Sequence, residues 1–405
     1  MGIFNARFTD DGSVGLFSDE YDDIYHSCFG ALSEAYEKFI LPADFNNFFD
    51  NHTEIKILDI CYGIGYNSKS FLNYYFYKFF NKNLKIKKKN AKNNLYINSI
   101  DTDNIFQKKI PKLTLHAVEI DDKLIKLSPF IKQSKIKSKK IKKNNLFSCL
   151  NRKDYKKFYI NDIVNIILFL NLIEKYKHDF FNNETCQILF DKAYKKFFNQ
   201  NMVILSKMNS YCRYNLSLLE RFQALLHNIY YKYISNSYKN AIKILKNNDF
   251  NIKLFNQDAR LFIKDANIKY NYIFLDAFSP NKAPNLWTVE FFKELYCHLS
   301  NDGMILTYSN SSAIRNAFVK NNFYVGKIYN EYEKRFTGTV ATKDKSLIKY
   351  PLTDFELGLL NTKSAICYHD NINLTLDNSV IKNNRENEIN NSTLISTSQF
   401  KKEYK

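Results

Sequence analysis

The fold is decided by one stretch of sequence, EIKILDICYGIGYN, which runs from Glu54 to Asn67. The apolar run over residues 55–60 predicts a buried strand, and the two glycines after it predict a tight turn. Residues 67–80 then show the pattern of a helix. A Gly-x-Gly at a strand end lets the backbone approach a ligand closely, because no side chain intervenes. This strand–turn–helix unit predicts an α/β protein of the Rossmann-like type.

The residues around the glycines indicate which ligand such a turn would hold. A dinucleotide site favours G-x-G-x-x-G, with a pyrophosphate on the helix N-terminus, but Ser68 occupies the place of the third glycine. Asp59 lies at the strand end, where its carboxylate would repel a pyrophosphate. The same carboxylate suits a ligand with a free ammonium group, such as the methionine end of S-adenosylmethionine (AdoMet). An ordinary turn in an α/β domain is the alternative interpretation of this motif alone.

Two further acidic residues follow predicted strands. Glu119 belongs to a strand over residues 113–120, and a carboxylate there could accept hydrogen bonds from both ribose hydroxyls of an adenosine. Asp258 follows a strand over residues 251–257 and could accept a hydrogen bond from an adenine amino group. A surface glutamate and a helix N-cap are the respective alternatives. The doubly wound, mostly parallel pattern continues with strands at 272–276, 304–308, 323–327 and 337–341 and helices at 288–299 and 311–321.

The most specific motif is YIFLDAFSPNKAPNLW over residues 272–287. A hydrophobic strand ends in Asp276, and an aromatic residue, two prolines and the only Trp of the chain follow it. Ligands in open α/β sheets bind beyond the carboxyl ends of the strands. We therefore expect Asp276 to lie where a substrate amine would meet a methyl donor, with Phe278 as a wall for a base. A loop with a structural Trp is the alternative.

Composition divides the chain into five parts. We expect residues 1–50 to form an extension that packs on the core, with a hairpin or loop around Asp11-Gly12 and then a helix that ends at Pro42. The two halves of the core follow at 51–132, with a Lys/Asn-rich loop at 81–112, and at 251–345. Between them lies a Lys-rich and helical insertion at 133–250. The last part is a C-terminal segment at 346–405, which we predict to be disordered beyond about residue 365.

The charge of the chain points to a polyanionic partner. The formal net charge is +18, which favours nucleic acid first and an anionic membrane second, although biased coding composition would give the same excess of Lys and Asn. The seven cysteines are scattered and form no C-x-x-C pair, which argues against a zinc site and for a reducing compartment. The most apolar stretch, residues 163–173, is shorter than the about 20 residues that cross a bilayer. We therefore expect a cytoplasmic protein without a metal or a membrane anchor, and a monomer.

Four segments together resemble a known family. They resemble the methyltransferase domain of the MnmC family, which makes 5-methylaminomethyl-2-thiouridine in tRNA, and more closely its stand-alone relatives. One of the four, residues 274–287, is close to the family's D-[GA]-F-[AS]-P-x-K-x-P-x-x-W. The segments are residues 11–42, including the Ile24-Tyr25-His26-Ser27 stretch; residues 57–67; residues 274–287; and Lys334-Arg335 with Gly338-Thr339-Val340-Ala341.

The resemblance implies an AdoMet-dependent transfer of a methyl group to the exocyclic amine of 5-aminomethyluridine at the tRNA wobble position. It implies that Asp276 is the catalytic carboxylate and that the substrate pocket is shaped by Tyr25, Glu34, Phe278 and Pro280. Further candidates for substrate contacts, through the phosphates, are Lys282, Lys334 and Arg335. The resemblance also implies that AdoMet is held by Asp59, Gly63, Gly65, Asn67, Glu119 and Asp258. The anticodon region of tRNA would be held by phosphate contacts from Lys and Arg, including the run Lys135–Lys143.

Two departures and two alternatives accompany this interpretation. No FAD-dependent oxidase domain follows residue 345, so we expect the second activity of the bifunctional enzymes to be absent, and the stretches 81–112 and 133–250 have no recognised counterpart. A polyamine aminopropyltransferase, which uses decarboxylated AdoMet on a similar fold, would gain nothing from a charge of +18. A non-catalytic RNA-binding protein with a decayed core would fit the basic insertions, but the acidic and glycine positions of the core are all present.

Overall fold

A computed structural model describes residues 4–8, 13–18, 23–25, 30–85, 110–121, 124–125, 128, 250–331 and 333–404. Most of the predicted Lys/Asn-rich loop and of the helical insertion, including Lys135–Lys143, lies outside these residues. Within them, no helix is long and apolar enough to cross a membrane.

The first elements form a small sheet of their own. The strands β1 (Phe4–Phe8), β2 (Val14–Ser18) and β3 (Asp23–Tyr25) pair antiparallel in that order. Phe8 pairs with Val14, so the hairpin predicted around Asp11-Gly12 is confirmed. Helix α1 (Ala31–Ala35) continues as one π-helical segment, Tyr36–Ile40, and the chain then turns over residues 41–44, as Pro42 predicted.

Seven strands build the central sheet, in the order β6-β5-β4-β7-β8-β10-β9. The first five in this order are parallel, and β10 and β9 add an antiparallel edge. The sheet is therefore mostly parallel, as predicted. The bounds are β4 (Glu54–Ile60), β5 (Lys112–Glu119), β6 (Phe250–Asn256), β7 (Tyr270–Leu275), β8 (Leu299–Thr307), β9 (Tyr324–Asn330) and β10 (Arg335–Thr342).

Helices cover both faces of this sheet. Successive residues of a strand point to opposite faces, so Ile57 packs in one hydrophobic core and Leu58 in the other. A strand buried on both faces is predominantly apolar, which is why the four apolar residues among residues 55–60 predicted it. The helices are α2 (Phe45–Asn51), α3 (Tyr66–Lys85), α4 (Ala259–Asp265), α5 (Val289–His298), α6 (Ser312–Lys320), α7 (Asp354–Leu359), α8 (Asn378–Asn391) and α9 (Thr397–Glu403).

The prediction of disorder beyond about residue 365 is wrong for residues 366–404. Cys367, Tyr368, Leu374 and Ile381 are buried in the second core, and the backbone N–H of Val289 donates to Tyr368 O over 3.0 Å. The polar average of this segment hid a few apolar residues at positions that face the core. Those few side chains are enough to fix the segment against helices α4 to α6.

Candidate functional site

The candidate site lies at the carboxyl edge of the parallel strands. Because β4 lies between β5 and β7, the turn that follows it is flanked by the ends of both neighbours. Tyr62 N donates to Val118 O over 3.0 Å, and Asp276 N donates to Ile60 O over 3.3 Å. The structure therefore brings the glycine turn and Asp276 together, at the edge where ligands of open α/β sheets bind.

The glycine turn has a backbone shape that favours glycine. Gly63 and Gly65 have φ values of 56° and 88°, and Cys61 before them has a φ of 63°. A Cβ on Gly65 would lie 2.3 Å from the hydroxyl oxygen of Tyr62, so no larger residue fits without moving that ring. The ring is fixed because the Tyr62 hydroxyl lies 2.5 Å from Ser128 Oγ, which in turn donates to Ile64 O over 2.8 Å.

Asp59 is fully buried beneath this turn, and among the described residues only one of its two carboxylate oxygens has a hydrogen-bond donor. Its Oδ2 accepts hydrogen bonds from Ser68 N (3.1 Å) and Ser68 Oγ (2.5 Å). Its Oδ1 is buried, and no described residue donates to it. Burial raises the pKa of Asp59 to about 7; the bonds from Ser68 oppose this shift, and repulsion from Asp276 and Glu119 adds to it. An orphaned carboxylate oxygen of this kind fits a ligand that brings a cationic N–H donor.

Glu119 ties the end of β5 to the glycine turn. Its Oε2 accepts from Gly63 N over 2.8 Å, and its Oε1 accepts from Asp121 N over 2.9 Å. The side chain is buried, which raises its pKa to about 7 against the opposing effect of these backbone bonds. The structure thus places Glu119 in contact with the turn, where each oxygen keeps a lone pair for a further donor.

Asp258 is the N-cap residue of helix α4, which was the alternative reading of its position. Its carboxylate accepts from Arg260 N over 2.8 Å and forms an ion pair with the Arg260 guanidinium over 2.9 Å. The same guanidinium lies 3.0 Å from the carboxylate of Asp370 and also donates to Leu376 O. Both oxygens of Asp258 are therefore engaged by Arg260, and its contact with an adenine stays a prediction.

Asn67 and Asp276 form the central contact of the site. The amide nitrogen of Asn67 donates to Asp276 Oδ2 over 2.8 Å. The structure shows that the side chain of Asn67 holds this carboxylate, and its predicted contact with the cofactor stays a prediction. Asp276 is half-buried, so one side of it faces a region that a ligand can reach.

The loop after Asp276 is held by hydrogen bonds rather than by prolines alone. Trp287, which is fully buried, donates from its indole N–H to Phe278 O over 2.8 Å. The hydroxyl of Tyr308 donates to Ala277 O over 2.9 Å. These bonds fix the loop near both of its ends. Within it, Phe278 and Pro280 are half-buried, and Lys282, which follows them, is exposed.

The N-terminal helix reaches the same region. Lys38 forms an ion pair with Glu34 over 2.7 Å, and its ammonium lies 5.7 Å from the centroid of the Tyr308 ring. Tyr308 contacts the loop after Asp276, so Glu34 lies near the predicted substrate side. Tyr25 ends β3, and its side chain lies outside the described part of the structure.

Lys334 lies in the exposed turn between β9 and β10, and Arg335 is the first residue of β10. Lys334 pairs with Glu331 over 3.2 Å, and Arg335 pairs with Glu333. Both side chains are well exposed, and ion pairs of this kind contribute little because water screens them. A phosphate group can therefore compete for either cation.

The sequence analysis missed the residues that support the site. Ser68 was noted only as the missing third glycine, whereas it supplies both hydrogen bonds to Asp59. Asp370 and Ser128 were not identified at all, because neither lies in a recognisable motif. Among the described residues, no group of three or more His, Cys, Asp or Glu side chains could hold a metal ion.

Comparisons with known proteins define the class of this domain. Residues 220–344 match a family described as S-adenosyl-L-methionine-dependent methyltransferase. This part of the chain therefore resembles an AdoMet-dependent methyltransferase, and its cofactor is AdoMet.

Within that class the domain is MnmC-like. It is 34% identical over 62 residues, 15% of this chain and 10% of the relative, to the tRNA 5-methylaminomethyl-2-thiouridine biosynthesis bifunctional protein MnmC of Campylobacter fetus. It is 36% identical over 102 residues, 25% of this chain and 29% of the relative, to the uncharacterized protein MJ0670 of Methanocaldococcus jannaschii. The crystal structure of MNMC2 from Aquifex aeolicus has the same fold, with a TM-score of 0.54 and 17% identity over 96% of this chain and 84% of that one.

Proposed function

We propose that this protein transfers a methyl group from AdoMet to the exocyclic amine of 5-aminomethyluridine, with or without the 2-thio group, at the wobble position of tRNA. We further propose that it does so in the cytoplasm and as a monomer. The observation that carries the proposal is the Asp276 carboxylate, which lies beside the glycine turn and is held there by Asn67. The Campylobacter fetus relative, a tRNA 5-methylaminomethyl-2-thiouridine biosynthesis protein, supports the choice of substrate.

The residues around the turn would hold the cofactor. Asp59 offers its orphaned Oδ1 to the ammonium group, and Glu119 offers its remaining lone pairs to the ribose hydroxyls. Gly63 and Gly65 let the backbone approach the ligand, and Asp258 would lie at the adenine end. When bound, AdoMet supplies an electrophilic methyl group on a sulfonium.

Asp276 would act on the substrate amine. An alkyl amine is mostly protonated at pH 7, and only the neutral form has a lone pair for attack. Desolvation in a half-buried pocket lowers the pKa of an amine, and this effect has to outweigh that of the Asp276 carboxylate, which favours the charged form. Asp276 would accept a hydrogen bond from the neutral amine, orient its lone pair and take up the proton that nitrogen loses as the N–C bond forms.

The distribution of charge along the sequence supports an RNA partner. Residues 86–109 and 129–249 hold 29 of the 59 Lys and Arg residues but only 10 of the 41 Asp and Glu residues. The rest of the chain has 30 basic and 31 acidic residues. The whole positive excess therefore lies in these two stretches, the second of which overlaps the family match at residues 220–249, and it supports phosphate contacts with RNA.

The test is mass analysis of nucleosides after incubation of hypomodified tRNA with AdoMet and the protein. We expect the 5-aminomethyl nucleoside to gain one methyl group. The control is Asp276→Asn, which we expect to keep AdoMet binding in calorimetry but to lose most turnover. AdoMet binding without any change in the wobble nucleoside would refute the substrate, and wild-type turnover in Asp276→Asn would remove this carboxylate from the reaction.

A further inference from the structure

Three aromatic rings meet at the antiparallel edge of the sheet, outside the site described above. The centroid of Phe336 lies 5.2 Å from that of Tyr329 and 5.6 Å from that of Tyr350, and the two tyrosines lie 5.7 Å apart. We call these three residues the aromatic platform. Phe336 is 38% exposed, so part of its ring is accessible to a ligand.

The platform is built by three separate segments. The pairing of β9 with β10 sets Tyr329 directly opposite Phe336. Residues 348–351 then run along the outer edge of β9, where Lys327 N donates to Tyr350 O over 2.7 Å. Gly326 permits this close approach, because a Cβ there would lie 2.7 Å from Ile348 Cγ2 and 2.9 Å from Tyr350 O. Tyr350 is thereby brought against the two rings of the hairpin.

Cationic side chains surround the platform. The ammonium of Lys327 lies 4.2 Å from the centroid of Phe336, but this side chain is buried and pairs with Glu356 over 2.7 Å. The ammonium of Lys349, which is exposed, lies 5.3 Å from the centroid of Tyr350. Lys334 and Arg335 follow in the exposed turn beside Phe336, where their surface ion pairs with glutamates are weak competitors for a phosphate. Aromatic rings interleaved with Lys and Arg are the combination that binds single-stranded nucleic acid, through base stacking and phosphate contacts.

The platform lies on the same rim as the candidate site. Strand β10 runs antiparallel to β8 with Thr339 opposite Thr307, so Phe336 lies beyond the carboxyl end of β8. Asn310, just after that end, donates from its side chain to Phe336 O over 3.4 Å. The carboxyl end of β8 adjoins that of β7, which Asp276 follows.

We propose that the aromatic platform stacks an unpaired base of the RNA substrate, next to the nucleotide that is methylated. This inference rests on the proposed function, because it takes RNA as the substrate. Phe336 supplies the stacking surface, and the exposed side chains of Lys334, Arg335 and Lys349 contact the adjoining phosphates. A base in an anticodon loop suits this surface, since its π-face is accessible without opening a duplex.

The test compares RNA binding by variants of Phe336, with a labelled anticodon stem-loop as the probe and fluorescence anisotropy as the readout. Phe336→Ala should weaken binding roughly 5- to 150-fold, the range for the loss of one base stacked on one aromatic side chain. Phe336→Leu should weaken it similarly, because an aliphatic side chain has no π-face, whereas Phe336→Trp should retain it. The matched control is Tyr324→Ala, which removes another exposed aromatic side chain at the opposite end of β9.

Several outcomes would overturn the inference. These are wild-type RNA binding in Phe336→Ala or Phe336→Leu, an equal loss in Tyr324→Ala, no binding of the probe by the unaltered protein, or a change of oligomeric state in light scattering that shows a second copy on the platform. Calorimetry with AdoMet checks that each variant is folded. If RNA binding depends on Phe336 but no nucleoside is methylated, the proposed function fails and the platform stands.

Discussion

Asp59→Asn should make the protein more stable and at the same time weaken its binding of AdoMet. The substitution keeps the size of the side chain but removes a charge from a fully buried position. The unfolded chain loses the Asp59 proton near its ordinary pKa of 3.8, whereas the folded chain keeps it until its pKa of about 7. Between these values the folded state binds more protons, so the free energy of unfolding of the wild type falls as the pH rises.

The size of both effects follows from the contacts of Asp59. A shift from 3.8 to about 7 corresponds to about 4 kcal/mol at pH 8, and the cost of burying an amide beside Ser68 reduces the expected gain to about 1–3 kcal/mol. For the ligand, an ionised acceptor is lost, which should weaken AdoMet binding about 10- to 150-fold. If only the ionised carboxylate binds the ammonium, wild-type affinity should also fall about eight-fold between pH 7.5 and pH 6.

The assay is thermal unfolding of the cofactor-free protein, together with calorimetric titration of AdoMet at both pH values. We expect a higher Tm for Asp59→Asn at pH 8, a difference that shrinks toward pH 4, and an AdoMet affinity that no longer responds to pH. Asp377→Asn removes the same charge from an exposed position and should change neither quantity. A lower Tm at pH 8 together with unchanged AdoMet affinity would refute the reasoning.

Three further predictions concern the turn, the catalytic carboxylate and the charge. Asn67→Ala should lower kcat about ten-fold in steady-state kinetics with little change in AdoMet affinity, because the lost bond holds Asp276. A loss of AdoMet affinity with unchanged kcat would show that Asn67 binds the cofactor and does not position Asp276. Gly65→Ala should lower the free energy of unfolding in denaturant by about 1–3 kcal/mol and weaken AdoMet binding, since the φ of Gly65 is 88° and Tyr62 fills the space that a Cβ would need. A wild-type free energy of unfolding together with wild-type AdoMet affinity would contradict the tight turn. RNA affinity should fall roughly a thousand-fold in anisotropy titrations between 50 and 200 mM salt if about six phosphates are contacted, and a flat response would leave the basic stretches without this role.

The sheet could be predicted because its signals are local. Strands buried on both faces are mostly apolar, and acidic residues or glycines lie at or just after their ends, so β4, β5 and β7 were located to within a residue or two. The adjacency of Asp276 and the glycine turn also follows from topology, since the carboxyl ends of parallel strands share one edge. A residue that acts at a strand end is therefore visible in sequence.

Side-chain partners across the sheet could not be predicted in the same way. Asn67 lies on helix α3 and Asp276 follows β7, and their contact depends on the rotation of the helix rather than on either motif. Asp258 shows the opposite difficulty, because one sequence position suits both a helix cap and a ligand contact, and Arg260 decides for the cap. Ile381 was hidden by a polar neighbourhood, although a single side chain facing the core is enough to fix a helix.

Carboxylates are concentrated in the candidate site, whereas the excess of Lys and Arg lies elsewhere in the sequence. The site crowds Asp59, Glu119 and Asp276 together, and repulsion between these carboxylates helps to raise the pKa of Asp59. A cofactor that carries a sulfonium and an ammonium relieves this repulsion, whereas an RNA phosphate would increase it. The proposed RNA phosphates therefore need cations outside this cluster of carboxylates. The exposed Lys334 and Arg335 are two such cations, and the excess of positive charge in the sequence lies in residues 86–109 and 129–249. Basic residues placed inside the site would strengthen its attraction for RNA at the cost of the cofactor, so the two ligands require separate segments.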